Sequence, residues 1–193
     1  MTNVYIILFD DFEPLDVFGP VEALGNIEDY HLHYISMNGG VVQNRQGIRI
    51  LTEPFSDTEN GGILLIPGGM GTRKMIKDTA FITALGRLMR SAAYVLCVCT
   101  GSALAAETGM LDGRHATSNK YAFDWVREDH DAVLWDRNAR WVSDGRFYTS
   151  AGVSAGTDMA LGFIMDQFGV TKAEEICRRM EYHWNREPDH DIF

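Results

Sequence analysis

The sequence predicts an α/β fold in which helices cover both faces of a mostly parallel sheet. Short apolar runs, typical of strands buried on both faces, alternate with segments whose apolar residues recur at helical spacing. This alternation is the pattern of parallel sheets, whose strands are joined by crossing helices. Glycines or acidic residues mark three predicted strand ends, after Phe9, Ile66 and Val98. In such folds the site lies at the carboxyl ends of the strands, so these three ends are the candidate positions.

The first part of the chain contains two predicted strands on either side of a helix. The strands are residues 3–9 (NVYIILF) and 30–37 (YHLHYISM), while 14–27 (PLDVFGPVEALGNI) has helical spacing with a Gly-Pro interruption. Residues 39–53 indicate a hairpin or a strand with a turn. Residues 61–69 (GGILLIPGG) predict a buried strand that ends in a glycine pair.

The rest of the chain continues the alternation without repeats or linkers, so residues 1–193 are predicted to form one domain. Asp144-Gly145 is a favoured two-residue hairpin turn. The predicted elements are, in chain order, a helix at 79–92, a strand at 94–98, an alanine-rich helix, a brief strand and helix within 115–126, a hairpin at 139–152, and helices at 154–169 and 171–184.

Composition and charge exclude several classes of protein. The chain of 193 residues has 46% hydrophobic and 23% charged residues, as ordinary globular domains do. Its formal net charge of −10 argues against a nucleic acid or an anionic membrane as partner. No apolar stretch approaches the roughly 18 residues of a membrane span, and no signal-peptide core is recognisable. Three cysteines, an odd number, predict a cytoplasmic protein without a disulfide framework.

Cys99 stands where a predicted strand gives way to a helix, in the sequence YVLCVCTGSALAAE. A thiol at the start of a helix faces free N–H groups and the positive end of the helix dipole. Both stabilise the thiolate, so we expect a lowered pKa and a nucleophile. The small residues that follow permit the sharp turn of a nucleophile elbow. The alternative is an inert cysteine buried as a small apolar side chain.

The glycine pair at Gly68 and Gly69 ends the predicted strand at 61–69. Glycines there let the backbone approach a ligand closely and present its N–H groups. We therefore expect an oxyanion hole formed by these glycines together with the N–H of Thr100. The alternative is a plain strand-to-helix turn, and a phosphate site is disfavoured because no complete phosphate-binding motif is present.

Asp16 is the acidic residue of the first loop that has apolar neighbours, Leu15 and Val17. A carboxyl group in such surroundings is partly desolvated, which raises its pKa into the range suited to proton transfer. The alternative is that Asp16, like the other acids of this loop, belongs to a solvated helix start.

The three segments together resemble the ThiJ/PfpI superfamily. The resemblance is carried by L-D-V-F-G-P at 15–20, I-P-G-G at 66–69 and C-T-G-S at 99–102, and it extends to 109–117 and 150–161. It implies a flavodoxin-like three-layer α/β/α sandwich, related to glutamine amidotransferases, with a nucleophile elbow and a homodimeric assembly. It also implies that Cys99 is the reactive residue and that Asp16 lies beside it, as in the isocyanide hydratases.

Asn119 is the main departure from the superfamily, many members of which carry a histidine at this position. Because that imidazole is missing near the cysteine, protease, amidase and glyoxalase activities are disfavoured. His115 lies four residues earlier and is expected to point elsewhere. Asn119 is a candidate for contact with the substrate, and the alternative is a loop amide satisfied within the protein.

The resemblance favours a cysteine-dependent hydratase that converts a small isocyanide and water into an N-substituted formamide. In this hypothesis Cys99 is the nucleophile and Asp16 is the general acid and base, with no metal or organic cofactor. The main alternative is a redox sensor whose Cys99 is oxidised without turnover. A third is a ligand-sensing domain, since the superfamily occurs fused to AraC-type regulators, although we expect no room for a helix-turn-helix pair after the last predicted helix.

Overall fold

The computed structural model describes residues 1–58 and 61–193 and contains an eight-stranded sheet. In chain order its strands are β1 (Thr2–Ile7), β2 (Tyr30–Ser36), β3 (Asn38–Gln43), β4 (Arg49–Pro54), β5 (Ile63–Ile66), β6 (Tyr94–Val98), β9 (Trp141–Asp144) and β10 (Phe147–Ser150). Across the sheet they are arranged in the order β3-β4-β2-β1-β5-β6-β10-β9. Two short strands, β7 (His115–Ala116) and β8 (Leu134–Trp135), pair separately.

Pairing is parallel throughout the centre of the sheet and antiparallel only in the two edge pairs, β3–β4 and β9–β10. The central strands β5 and β6 are almost completely buried, as the continuous apolar runs predict. The prediction of an α/β fold with a mostly parallel sheet is therefore confirmed. The hairpins predicted within 39–53 and 139–152 are the two antiparallel edges.

The helices pack as two groups, which form the outer layers of the sandwich. The helices are α1 (Pro14–Leu24), α2 (Thr72–Met75), α3 (Thr79–Ser91), α4 (Gly101–Glu107), α5 (Phe123–Arg127), α6 (Ala155–Phe168) and α7 (Val170–Arg179), with a 3-10 turn at Phe55–Asp57. Helix α6 contacts α1 and α7, while α4 contacts α2, α3 and α5. No helix in the described part of the chain is both long and apolar enough to cross a membrane.

Three local predictions are wrong. Helix α1 runs without interruption through Gly19-Pro20, because close packing on α6 outweighs one lost hydrogen bond: a side chain at Gly19 would overlap the hydroxyl of Thr157. The β9–β10 turn is Gly145-Arg146, one residue later than predicted, since Asp144 still pairs with Phe147. The last helix ends at Arg179, as residues beyond it bind Asp158 on α6 instead.

Strands β1, β5 and β6 are direct neighbours, which brings their three carboxyl ends to one place. The loop after β1 is tied to the loop after β5 by hydrogen bonds from Glu13 N–H to Gly68 O (2.9 Å) and from Gly71 N–H to Asp11 O (3.1 Å). The three strand ends that the sequence marks as candidate positions thus form a single region. That region contains Asp16, Gly68 and Cys99.

Candidate active site

Cys99 forms a sharp turn between β6 and α4. Its backbone has φ of 58°, in the left-handed region that non-glycine residues rarely adopt. Its N–H lies 3.2 Å from the carbonyl oxygen of Ser150, and its carbonyl accepts hydrogen bonds from Ser102 Oγ and Ser118 Oγ, each at 2.9 Å. These bonds hold a strained backbone in place, and Cys99 as a whole is only 7% exposed. The arrangement is the strand–turn–helix geometry of a nucleophile elbow.

Asp16 lies in the first turn of α1 and is completely buried. Its Oδ2 accepts a hydrogen bond from the Gly68 N–H at 2.9 Å, whereas Oδ1 has no partner of hydrogen-bond geometry among the described residues. Burial, helped by the charge of Glu13, raises the pKa of Asp16 to about 7, against the opposing hydrogen bonds from Gly68, Cys99 and Val153. Asp16 is thus a carboxyl group poised to exchange a proton near neutral pH.

The Cys99 thiol does not have the lowered pKa that its position at a helix start predicts. Burial raises the pKa of Cys99, and the nearby charge of Asp16 raises it further, while hydrogen bonds from Thr100 and Val153 only partly compensate. Desolvation outweighs the helix terminus because α4 starts inside the protein. Because burial and the charge of Asp16 both raise the pKa of Cys99, the thiol keeps its proton after Asp16 has lost its own, so the two groups together retain one proton above neutral pH.

The backbone donors near the sulfur differ from those expected. The Gly68 N–H is engaged by Asp16, and the Gly69 N–H donates to Thr100 Oγ1 at 3.1 Å. Two other N–H groups, of Thr100 and Val153, hydrogen-bond to Cys99 in the direction that stabilises a negative sulfur. Among the three expected donors, Thr100 alone thus faces the sulfur, and Gly68 instead positions Asp16.

Val153 lies beside Asp16 and Cys99 but is not among the residues predicted from the sequence. It follows β10, the neighbour of β6, and its φ of 50° is a strained value for a β-branched side chain. Its N–H is close enough to both side chains to lower the pKa of Asp16 and of Cys99. The available signal was its place after another parallel strand, but nothing in the sequence of this segment predicts a left-handed valine.

A cavity of about 310 Å³ opens above Cys99, and Asn119 contributes to its wall. Asn119 Oδ1 accepts a hydrogen bond from the Ala122 N–H at 2.9 Å, while its Nδ2 packs so closely on Gly152 that a Cβ at that glycine would overlap it. Asn119 therefore borders the cavity with its amide partly committed to the protein. His115 is exposed and lines a different groove, near β9, so it does not reach the cysteine.

The cavity is lined by side chains of both charge signs. Glu13, Arg45 and Arg73 are its charged lining residues, and no histidine is among the residues that line it. Within residues 1–58 and 61–193, no group of three or more histidine, cysteine, aspartate or glutamate side chains is arranged to hold a metal ion. What the cavity offers is a thiol and a carboxyl group beneath a space suited to a small molecule.

Gly68 permits the close approach of Asp16 to the elbow, so Gly68→Ala is expected to disrupt the site. A Cβ there would lie 2.6 Å from both N and Oγ1 of Thr100 and 2.9 Å from Asp16 Oδ2. We expect stability to fall by about 1–3 kcal/mol in urea denaturation. Turnover per folded molecule should fall by at least about 100-fold, because displacements near 1 Å have effects of that size.

Gly86→Ala in α3 is the matched control for this variant. The nearest atom to a Cβ at Gly86 is 3.6 Å away, and alanine is the better helix former, so this variant should match or exceed the stability of the wild type. A fully active Gly68→Ala protein would mean that Asp16 does not need its observed position.

Comparison with known proteins relates the chain to an enzyme and to a regulator. The sequence profile of the DJ-1/PfpI family matches residues 2–166. Isonitrile hydratase from Pseudomonas putida is 28% identical over 181 residues, which cover 93% of this chain and 78% of that protein. The HTH-type transcriptional regulator CdhR from Pseudomonas aeruginosa is 26% identical, over 92% of this chain and 54% of its own length. The chain thus spans about half of that regulator.

A solved structure has the same fold. A THiJ/PfpI family protein from Pseudomonas syringae superposes with a TM-score of 0.85 at 24% identity, over 95% of this chain and 76% of that one. The family profile spans the segments that carry Asp16, Gly68 and Cys99. The family resemblance read from the sequence is confirmed, and the chain belongs to the DJ-1/PfpI family.

Proposed function

We propose that this protein hydrates a small isocyanide to an N-substituted formamide, with Cys99 as nucleophile and Asp16 as general acid and base. The observation that carries the proposal is the buried Cys99–Asp16 pair, whose carboxyl group has a pKa of about 7 and an oxygen without a geometric hydrogen-bond partner in the described chain. The similarity to isonitrile hydratase supports the reaction class. The proposal takes residues 1–193 as one domain, acting as a cytoplasmic homodimer without a cofactor.

The first half of the reaction consumes the single proton of the pair. Sulfur attacks the terminal carbon of the isocyanide while the proton resides on Asp16, and Asp16 then delivers that proton to the same carbon. The product of this half is a thioimidate, R–N=CH–S–Cys99, and Asp16 is left as a carboxylate. The N–H groups of Thr100 and Val153 stabilise the charge on sulfur.

The second half adds water. The Asp16 carboxylate takes a proton from water as the oxygen attacks the thioimidate carbon, and this proton passes to the nitrogen. Collapse of the tetrahedral adduct breaks the carbon–sulfur bond, and the hydroxyl proton returns through Asp16 to the pair. The formamide R–NH–CHO leaves, and no electrons are gained or lost. Asn119, on the cavity wall, is proposed to contact the substrate.

This chemistry fits the site better than peptide or amide hydrolysis. Cysteine hydrolases of that kind use an imidazole as base, and none of the residues that line the cavity is histidine. A thiol that is buried and has a raised pKa is also a poor reactant toward peroxide, which disfavours the redox sensor.

Ligand sensing is the second candidate, because the chain is similar to a transcriptional regulator over 92% of its length. In that case the same cavity would bind a small molecule without turnover. The two candidates differ in what they require of Cys99: a hydratase needs the sulfur, whereas a sensor needs only the shape of the cavity.

Formamide production from a panel of small alkyl and aryl isocyanides, followed by NMR, separates these candidates. We expect the wild type to produce the formamide and Cys99→Ala to produce none above the uncatalysed rate. If the protein bound an isocyanide tightly without producing formamide, and Cys99→Ala bound it equally well, the ligand sensor would be favoured over the hydratase. Cys177→Ala, which alters a half-buried cysteine on α7, should match the wild type.

A further inference from the structure

The cavity above Cys99 contains more positive than negative charge, in a chain whose formal net charge is −10. Arg45 and Arg73 line it on the positive side, and Glu13 is the acidic lining residue. Glu13 lies on the catalytic side, since its charge contributes to the raised pKa of Asp16. A cavity with two guanidinium groups in an acidic protein attracts anions.

Arg73 is held in position by an aromatic ring and by uncharged oxygen atoms. Its guanidinium carbon lies 4.4 Å from the centroid of the Trp125 ring, and Nη1 lies 3.5 Å from Gly69 O and from Thr72 Oγ1. No ion pair of Arg73 is present among the residues that the structure describes. A half-buried guanidinium that is stacked on an aromatic ring, but unpaired, is preorganised to bind a carboxylate.

Arg45 comes from the turn between β3 and β4, which is anchored to the first loop of the site. The buried Asn44 next to it accepts a hydrogen bond from the Ile48 N–H at 2.9 Å and donates one to Phe12 O at 3.4 Å. This attachment fixes the backbone of Arg45 at the cavity, and its guanidinium also lacks an ion pair within the described chain. Two arginines from separate elements thus converge on one space.

We propose that the substrate carries a carboxylate, which Arg73 and Arg45 bind while the isocyanide carbon lies at Cys99. This inference rests on the proposed hydratase function and specifies its substrate class as small isocyano-carboxylates. A volume of about 310 Å³ accommodates such a molecule. The planar guanidinium of Arg73 matches the two carboxylate oxygens, so we expect the cavity to bind an acid more tightly than its ester.

The test compares kcat/KM for isocyanoacetate with kcat/KM for its methyl ester, which lacks the negative charge. We expect the wild type to prefer the acid by about 10- to 100-fold, the range of one or two charge-assisted hydrogen bonds. In Arg73→Gln this ratio should fall by about 10-fold or more. Lys74→Gln makes the same charge change at the next, exposed residue of α2, outside the cavity lining, and should leave the ratio unchanged.

A second readout does not depend on hydratase activity. Iodoacetate and iodoacetamide alkylate thiols, but only the former is an anion, and mass spectrometry of the Cys99 peptide gives the two rates. The ratio of the alkylation rate with iodoacetate to the rate with iodoacetamide should be about 3- to 10-fold lower in Arg73→Gln than in the wild type or Lys74→Gln, because a charge-assisted contact is lost.

The combined outcomes separate the two proposals. A lowered alkylation ratio without turnover of any isocyanide would refute the hydratase and keep the anion site. Turnover with equal rates for acid and ester in the wild type would refute the carboxylate substrate and keep the hydratase. An equal loss of preference for the acid in Arg73→Gln and Lys74→Gln would also overturn the proposed carboxylate site, since it would show that the preference depends only on the net charge of the protein.

Discussion

Cys99→Gly and Cys99→Ala are both expected to lose isocyanide turnover completely, while the glycine variant is the more stable of the two. Loss of the sulfur removes the covalent route, so the rate should drop by at least about 10⁴-fold, as for other nucleophile deletions. The difference in stability comes from the backbone. Residue 99 has φ of 58°, which glycine adopts without strain and alanine does not.

The expected difference in the free energy of unfolding between the two variants is about 1 kcal/mol in favour of glycine. Urea denaturation of the two proteins at one pH measures it directly, because both lack the titrating thiol. Gly145, in a turn with φ of 62°, offers a reference position: Gly145→Ala should lose a similar amount.

Two results would contradict this reading of the elbow. An alanine variant as stable as the glycine variant would mean that the elbow backbone relaxes when the sulfur is absent. Residual turnover in either variant that survives purification from an unrelated host would remove Cys99 from the mechanism.

The two proposed reacting groups could be singled out in the sequence because each has a local signature. Cys99 stands at a strand-to-helix break between an apolar run and small residues, and Asp16 stands between Leu15 and Val17. The alternation of strands and helices then implied that their loops meet at one edge of the sheet. Both inferences use features within a few residues of the group concerned.

The donors around the pair were not predictable, since they depend on distant segments. Val153 lies more than fifty positions beyond Cys99, and its role rests on a left-handed backbone that its side chain disfavours. Gly68 was expected to face the sulfur but donates to Asp16, because α1 brings that carboxylate between the two loops. A sequence pattern can indicate that loops lie close together, but it cannot show which atom each N–H group donates to.

The pKa of Cys99 illustrates the same limit. The helix terminus is visible in the sequence and lowers the pKa, whereas burial depends on everything packed around the sulfur and raises it. Burial is the larger effect here. In the proposed mechanism the activating role therefore belongs to Asp16, which would hold the proton when sulfur attacks, rather than to the helix terminus.

Asp16→Asn is expected to remove most of the turnover and yet to stabilise the protein above neutral pH. Asparagine can accept the Gly68 hydrogen bond but cannot exchange a proton, so the rate should fall by about 10²- to 10⁴-fold. In the wild type kcat/KM should rise with pH through about 7, as the pair reaches its one-proton form. The variant should lack this rise.

The stability gain follows from the raised pKa of Asp16, which is about 7 when folded against 3.8 in the reference state. Below pH 4 Asp16 is protonated in both the folded and the unfolded state, so it has no effect on stability. Between pH 4 and 7 only the unfolded state has released the proton, so the stability of the wild type falls as pH rises. Above pH 7 the loss of stability is constant. Because residue 16 is neutral at every pH in the variant, its stability relative to the wild type should increase between pH 5 and 8 by about 2–3 kcal/mol.

Urea denaturation of both proteins at several pH values measures this difference. Asp11→Asn is the matched control: it makes the same chemical change at an exposed residue of the loop that precedes α1, and it should not reproduce the gain of Asp16→Asn. If Asp16→Asn and Asp11→Asn behaved alike, the folded Asp16 would have an ordinary pKa. The proton for the isocyanide carbon would then have to come from another group, and the hydratase mechanism would lose its acid.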